Sequence, residues 1–187
     1  MRCKNSRRRA TTSSVRRPDQ IYLEAADTHG AALERLARAY ESDADHRRDL
    51  LQEIHIALWR SFEGFDDRCS LRTWVYRVAH NVATTHVIRQ QRAKANPLMS
   101  LEQAEAMPDT TQGPLAADRR QALERLLVLI QGLKPHDRQV ILSYLEGMDA
   151  ASIGEITGIS ARNVATKIHR IKSLLARRFQ EGAQHAE

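Results

Sequence analysis

Only two cysteines occur in the 187 residues, Cys3 and Cys69, far apart and outside any C-x-x-C arrangement. That leaves no disulfide framework to build on, and a reducing cytoplasm fits. No apolar run approaches 18 residues, so nothing reads as a transmembrane helix and no membrane insertion is expected. Glycine and proline are sparse, eight and five, and no alternating β-branched runs mark strands. Signatures of catalysis are also missing. The eight histidines, His29, His46, His55, His80, His86, His136, His169 and His185, form no H-E-x-x-H and no metal-ligand spacing with cysteine. Neither a G-x-x-x-x-G-K-[ST] loop nor a G-x-S-x-G turn occurs. No cofactor, metal or catalytic residue is therefore expected, and the reading is not an enzyme. Internal repeats and low-complexity tracts are absent too.

Leu, Ala, Arg, Glu and Gln dominate the composition and favour helix, so the fold class is all-α. The chain suits two small helical domains, each marginal alone and helped by a partner. Net charge is +6, and residues 1–20 account for all of it, leaving 21–187 balanced. A balanced body with a locally basic helix points to a docking face rather than general adhesion. Residues 1–19 read as a disordered basic tail without the apolar core of a secretory signal. A misassigned start codon or an organellar transit peptide would give the same composition.

Helical spacing runs from about Ile21 to Tyr40, then from His46 to Phe62 with Leu50, Ile54, Ala57, Leu58 and Ser61 on one face. The stretch EGFDDRCS (63–70) reads as a loop, with Ser70 capping a helix from Leu71 to about Arg92 that turns Trp74, Val75, Val78 and Val82 inward. Trp59 and Trp74 read as core, and His80 and His86 as surface or partly buried. Residues 93–117 lose periodicity, hold three prolines and are slightly acidic, so they read as a flexible linker. Helix resumes near Asp118, with Leu123, Leu126, Leu127 and Ile130 on one face. A short helix covers Pro135 to Glu146, and two more are separated by Gly158-Ile159-Ser160.

That last tract has helix-turn-helix grammar. Asp149 or Ala150 opens a short helix, Ile153 and Ile156 face inward, and Gly154 lets the next helix approach. Gly158 permits the tight turn and Ser160 caps the helix from Ala161. From Ile156 to Gln180 the chain has six Lys or Arg and no Asp or Glu, with an apolar stripe at Val164, Ile168, Ile171 and Leu175. The first turns of such a helix enter the major groove. They carry Arg162, Asn163, Thr166 and Lys167, residue types that read base edges. Arg170, Lys172, Arg177 and Arg178 suit phosphates. In the N-terminal half, Phe62 and Phe65 flank a loop followed by Arg72, Trp74, Tyr76, Arg77, Asn81 and Arg89. Aromatics interleaved with basic residues suit stacking on unpaired bases.

Both halves together resemble the extracytoplasmic-function group of sigma-70-family bacterial sigma factors. DLLQEIHIALW (49–59) looks like region 2.2, FEGFDDRCSLRTWVYRVAHNVATTHVIR (62–89) like regions 2.3 and 2.4, and residues 129–175 like region 4. The resemblance implies a region 2 domain at 20–92, a linker at 93–117, a region 4 domain at 118–180 and a tail at 181–187. It implies an alternative sigma factor that binds core RNA polymerase and directs promoter recognition and opening in the bacterial cytoplasm. Asp49, Leu50, Gln52 and Glu53 match the polymerase-docking segment. Phe62, Phe65 and Asp66 match the loop that captures a −10 base, and Arg72, Trp74, Arg77, Asn81 and Arg89 the strand-opening segment. Ser160, Arg162, Asn163, Thr166, Lys167 and Arg170 match the −35-binding helix-turn-helix. Promoter DNA and core polymerase are the implied partners, and the family often meets an anti-sigma factor. Cys69 stands where Gly is common, Thr85 where Asp is common, and Arg162-Asn163 replaces a small residue and Thr. These departures bear on promoter sequence, not on function class. Two rival classes remain at this point: a dimeric helix-turn-helix regulator of a palindrome, and a helical enzyme acting on nucleic acid.

Overall fold

Helix starts and stops follow local chemistry in the computed structural model, which describes residues 17–95 and 114–184. Helix α1 (Pro18–Tyr40) opens on a proline in its first turn, where the missing N–H costs nothing. It therefore begins inside the segment expected as tail. Asp43 caps α2 (Ala44–Ser61), its carboxylate accepting from the amides of Asp45 and His46 at 3.0 and 2.9 Å. A single 3₁₀ turn (Phe62–Gly64) leads into the loop before α3 (Leu71–Ala95), whose first turn is capped by Ser70 Oγ, 3.0 Å from the Thr73 amide. Four helices follow: α4 (Pro114–Gln131), α5 (Pro135–Leu145), α6 (Ala150–Thr157) and α7 (Ala161–Gln184). The expected linker is thus shorter at both ends, and α7 takes in residues 181–184 expected as tail. The middle of the expected linker and most of the basic tail, Cys3 included, lie outside the described residues. No strand occurs among the described residues.

Helices α1, α2 and α3 pack on one another around Leu33, Leu36, Leu50, Ile54, Leu58, Phe62, Val75 and Ala79, all buried. Helices α4 to α7 form a second group around Ile130, Val140, Ile141, Ile153, Val164 and Ile171. The groups also meet: α1 packs on α4, and α3 on α5 and α6.

Several expected placements are corrected. Leu123 is 61% exposed, not core: it shares a face with Ile130 but lies two turns nearer the helix start, where that face borders an open groove lined by Leu126, Leu175 and Phe179. Trp59 is half-exposed, its indole N–H held at 3.0 Å by Asp19 Oδ1 from α1. His80 and His86 are the reverse case, both buried, because α3 is covered on several sides.

Candidate nucleic-acid and polymerase interface

The helix-turn-helix is built as its sequence grammar predicts. Asp149 Oδ1 accepts from the Ser152 amide at 2.7 Å and starts α6. A Cβ on Gly154 would lie 2.7 Å from the Ile159 carbonyl oxygen, so only glycine lets the turn close this tightly. Gly158 takes a left-handed φ of 77° and ends the helix. Ser160 Oγ then accepts from the Asn163 amide at 3.3 Å. On α7, Val164, Ile171 and Leu175 are buried while Arg162, Asn163, Thr166 and Arg170, and Ser160 just before the helix, are exposed. The apolar stripe and the basic face thus separate cleanly. Lys167 departs from that pattern. It is half-buried, and its ammonium lies 2.5 Å from Asp137 Oδ1 of α5, so it is engaged within the domain.

The N-terminal candidates scatter more. Asp49 and Gln52 are exposed on α2 and Glu53 is half-exposed. Leu50 is fully buried against the bundle core and is withdrawn as a docking contact. Phe62 is likewise 2% exposed and fills the core, so it is not free to capture a base. Its neighbour Phe65 is half-buried, edge-on to Phe62 and to Trp74. Asp66 is exposed and pairs with Arg68 at 3.0 Å. The Trp74 indole donates to Ser61 Oγ at 2.9 Å, and the Arg77 guanidinium lies 4.7 Å from its ring centroid. That cation–π contact fixes the ring's exposed side. Arg72 is half-buried and donates to the Glu146 backbone carbonyl.

Asn81 is exposed and lines one groove with Glu53, Ile56, Arg60 and Thr85 between α2 and α3. So a residue expected to dock polymerase and one expected to meet DNA share a surface. Arg89 joins the same edge, 2.9 Å from Glu53 Oε1. Behind Arg89 runs a buried relay. Arg89 lies 3.3 Å from His86 Nδ1, and His86 Nε2 lies 3.0 Å from Glu41 Oε2. With Arg89 donating to Nδ1, the proton belongs on Nε2, which donates to Glu41. Burial pushes the Glu41 carboxyl up, but donors from His86, the Asp43 amide and Gln90 outweigh it and hold it below its ordinary value.

Sequence reasoning missed a second polar row on α3. Tyr76, His80 and Thr84 recur every fourth residue beside the core row Val75, Ala79 and Ala83. That spacing was the available signal: a helix with two buried stripes has two partners. The row meets the C-terminal group. Tyr76 donates to Glu146 Oε2 at 3.1 Å, His80 Nε2 bonds Ser143 Oγ at 3.1 Å, and Gln139 donates to Thr84 Oγ1 at 3.1 Å. No grouping of His, Cys, Asp and Glu able to hold a metal ion occurs among the described residues, and no helix there is long and apolar enough to cross a membrane.

Comparison with known proteins matches both groups of helices. The Sigma-70 region 2 family matches residues 26–93, and the Sigma-70 region 4 family matches residues 123–175. RNA polymerase sigma factor CnrH of Cupriavidus metallidurans is 29% identical over 159 residues, 79% of this chain and 81% of that one. RNA polymerase sigma factor NccH of Alcaligenes xylosoxydans is 27% identical over 157 residues, 81% of this chain and 83% of that one. The sigma factor RpoE of Bartonella quintana, solved in complex with the anti-sigma factor NepR, shares the fold. Its TM-score is 0.65 at 15% identity, covering 86% of this chain and 96% of that one.

Proposed function

Given that the chain belongs to the extracytoplasmic-function group of sigma-70 factors, we propose a division of its surface among polymerase, −10 strand and −35 duplex. As a member it is an alternative sigma factor that directs transcription initiation. Sigma factors are specificity subunits and generally not catalytic, and we assign this chain no catalytic site of its own. Its place of action is then the bacterial cytoplasm, where core polymerase and promoter DNA are.

Asp49, Gln52 and Glu53 form the docking edge on α2. Asn81 and Arg89, beside it on α3, take the opened −10 strand, with Phe65, Asp66, Arg72, Trp74 and Arg77 at the loop end of the same helix. Ser160, Arg162, Asn163, Thr166 and Arg170 meet the −35 element. Arg162 and Asn163 have types that read guanine and adenine edges, while Arg170 suits phosphate. Lys167 reaches DNA only by leaving Asp137. RpoE's complex with NepR supports an anti-sigma partner for this chain as well.

One observation carries the reading: on α7 the base-reading side chains are exposed on the first turns while Val164, between them, is fully buried. The test is run-off transcription with permanganate footprinting on a selected promoter, using the protein, core polymerase, or both. Opening and transcript are expected only with both. Tight binding to a palindrome by the protein alone as a dimer, with no transcript on adding core, would mean a regulator instead.

A further inference from the structure

An arginine on an open surface has many rotamers, and a strand it binds must select one of them. Two groups narrow the choice for Arg89. Its Nη2 meets Glu53 Oε1 at 2.9 Å and His86 Nδ1 at 3.3 Å. The two anchors are unlike. The Glu53 side chain is 42% exposed, so water and salt screen its hold, and its assignment to polymerase gives it another partner. The His86 ring is only 5% exposed, and it cannot turn without breaking the bond from Nε2 to Glu41 Oε2 at 3.0 Å. Glu41 is buried too, at the C-cap of α1. The amide of Asp43, the N-cap of α2, donates to its Oε1 at 3.0 Å, and the Gln90 side chain donates to its Oε2 at 2.5 Å. The ring on α3 is thereby fixed to the corner where α1 turns into α2.

We propose that His86 is a positioning residue: oriented by Glu41, it holds Arg89 by one nitrogen and so presents the rest of the guanidinium to the opened −10 strand. The strand half of this rests on the proposed sigma function, and the hold itself does not. Hydrogen-bond chemistry gives the hold a direction. An ionised carboxylate only accepts and a guanidinium only donates. The ring between them must therefore carry its proton on Nε2 and offer Nδ1 as an acceptor. The opposite tautomer would set donor against donor at Arg89 and acceptor against acceptor at Glu41. Arg89 stands three positions after His86, on the same face of the helix. Both of its contacts use Nη2, which leaves the Nη1 and Nε donors for a phosphate or a base edge. Its side chain stays 59% exposed while held, so the hold orients it without hiding it. Ordering a long side chain before it binds spares that cost at the moment of binding, about two- to tenfold in affinity.

The experiment uses two replacements that each copy one half of the ring. Asn places a carbonyl oxygen near the position of Nδ1, and Gln places an amide N–H near that of Nε2. His86→Asn thus keeps the acceptor for Arg89, and His86→Gln keeps the donor for Glu41. Both are made in the full chain, checked by circular dichroism and urea denaturation, and assembled with core polymerase. The readout is the affinity of that holoenzyme for a single-stranded oligonucleotide carrying the −10 element of a selected promoter. His86→Gln should lose about two- to tenfold while remaining the more stable variant. His86→Asn should stay within about twofold of wild type on the strand although it leaves Glu41 with one donor fewer. A purely structural role predicts the reverse order, with strand affinity following stability, and that order overturns the proposal. In an Arg89→Ala background, His86→Gln should cost nothing further, and a full additional loss overturns the proposal as well. So does an unchanged affinity in His86→Gln where Arg89→Ala loses it. Nitrogen-15 shifts of the His86 ring in the chain without DNA read the hold independently of function. A proton on Nε2 is expected, and a proton on Nδ1 overturns the hold. If the ring has the expected tautomer but Arg89→Ala leaves strand affinity unchanged, the hold stands and the −10 assignment of Arg89 is what fails.

Discussion

Helices α3 and α7 are both long, both carry arginines, and both belong to the surface assigned to DNA, yet they are built on opposite plans. Helix α7 has one buried stripe, and Arg162, Asn163 and Arg170 stand exposed away from it. Helix α3 is covered by α1 and α2 on one side and by α5 and α6 on another. Many of its polar side chains are therefore spoken for: Trp74 by Ser61, Arg77 by the Trp74 ring, His80 by Tyr40 and Ser143, His86 by Glu41. A helix buried along one stripe divides structure from function by face. A helix with several does not, and its residue types alone mislead.

The largest expected effect tests that difference where it is sharpest. Phe62 looked like a base-capturing aromatic, but it is 2% exposed in the region 2 core. Phe62→Ala should destabilise the protein by about 3–5 kcal/mol, the range for removing a buried Phe. Urea denaturation measures it. A stability change under about 1 kcal/mol with selective loss of promoter opening would return Phe62 to the DNA surface.

This explains which parts of the molecule were legible in the sequence. The turn of the helix-turn-helix was readable because each position has a single local demand: a cap at Asp149 and Ser160, no side chain at Gly154, a left-handed residue at Gly158. The stripes of α1, α2 and α7 were readable for the same reason. Leu50 and Phe62 were misplaced because the signature stretches that contain them mix core and surface positions, and the matched segment does not say which is which. His80, Tyr76 and Glu146 were invisible as a group because Glu146 is 66 positions beyond His80 and 70 beyond Tyr76. Only the packing of two separate helical groups brings them together.

A second test asks whether the polar row of α3 is structural in substance. His80 is fully buried between Tyr40 and Ser143, and burial lowers its pKa from 6.5 to about 3. Between those two values the unfolded chain takes a proton that the folded chain refuses, so stability falls as pH drops through the window. At pH 5 the loss is about 2 kcal/mol, at about 1.36 kcal/mol per pH unit. His29, lowered by burial and then by Arg72, acts with the same sign. Comparing denaturation at pH 7.5 and pH 5 in wild type and His80→Gln isolates the His80 part. Equal pH sensitivity in both proteins would show that His80 is not the group responsible.

On α7 the expectation reverses: function moves and stability does not. Arg162 and Asn163 are exposed on its first turn. Arg162→Ala or Asn163→Ala should cost about 1–3 kcal/mol of −35 binding at the altered residue's own base and relax the preference there. Unfolding should stay within about 0.5 kcal/mol of wild type, as for surface positions generally. A panel of promoter variants separates the two residues. Equal losses on every sequence would reduce both to phosphate contacts.

The smallest effect lies at the place where the two plans meet. Glu53 and Arg89 join at 2.9 Å, but their side chains are 42% and 59% exposed, so water and salt screen the pair. A double-mutant cycle with Glu53→Gln and Arg89→Gln should give a coupling of about 0.2–1 kcal/mol, shrinking as salt rises. The pair matters for what it frees. If the fold does not depend on it, Glu53 can turn to polymerase and Arg89 to the opened strand at little structural cost, and loss of either function reads as loss of that contact. Because Arg89 also touches His86, whose partner Glu41 is buried, the alternative is concrete. A coupling above about 2 kcal/mol that ignores salt would place Glu53 and Arg89 in the buried relay. The exposed edge of α3 would then be built like its interior, and its residues would have to be withdrawn from the DNA surface along with Phe62.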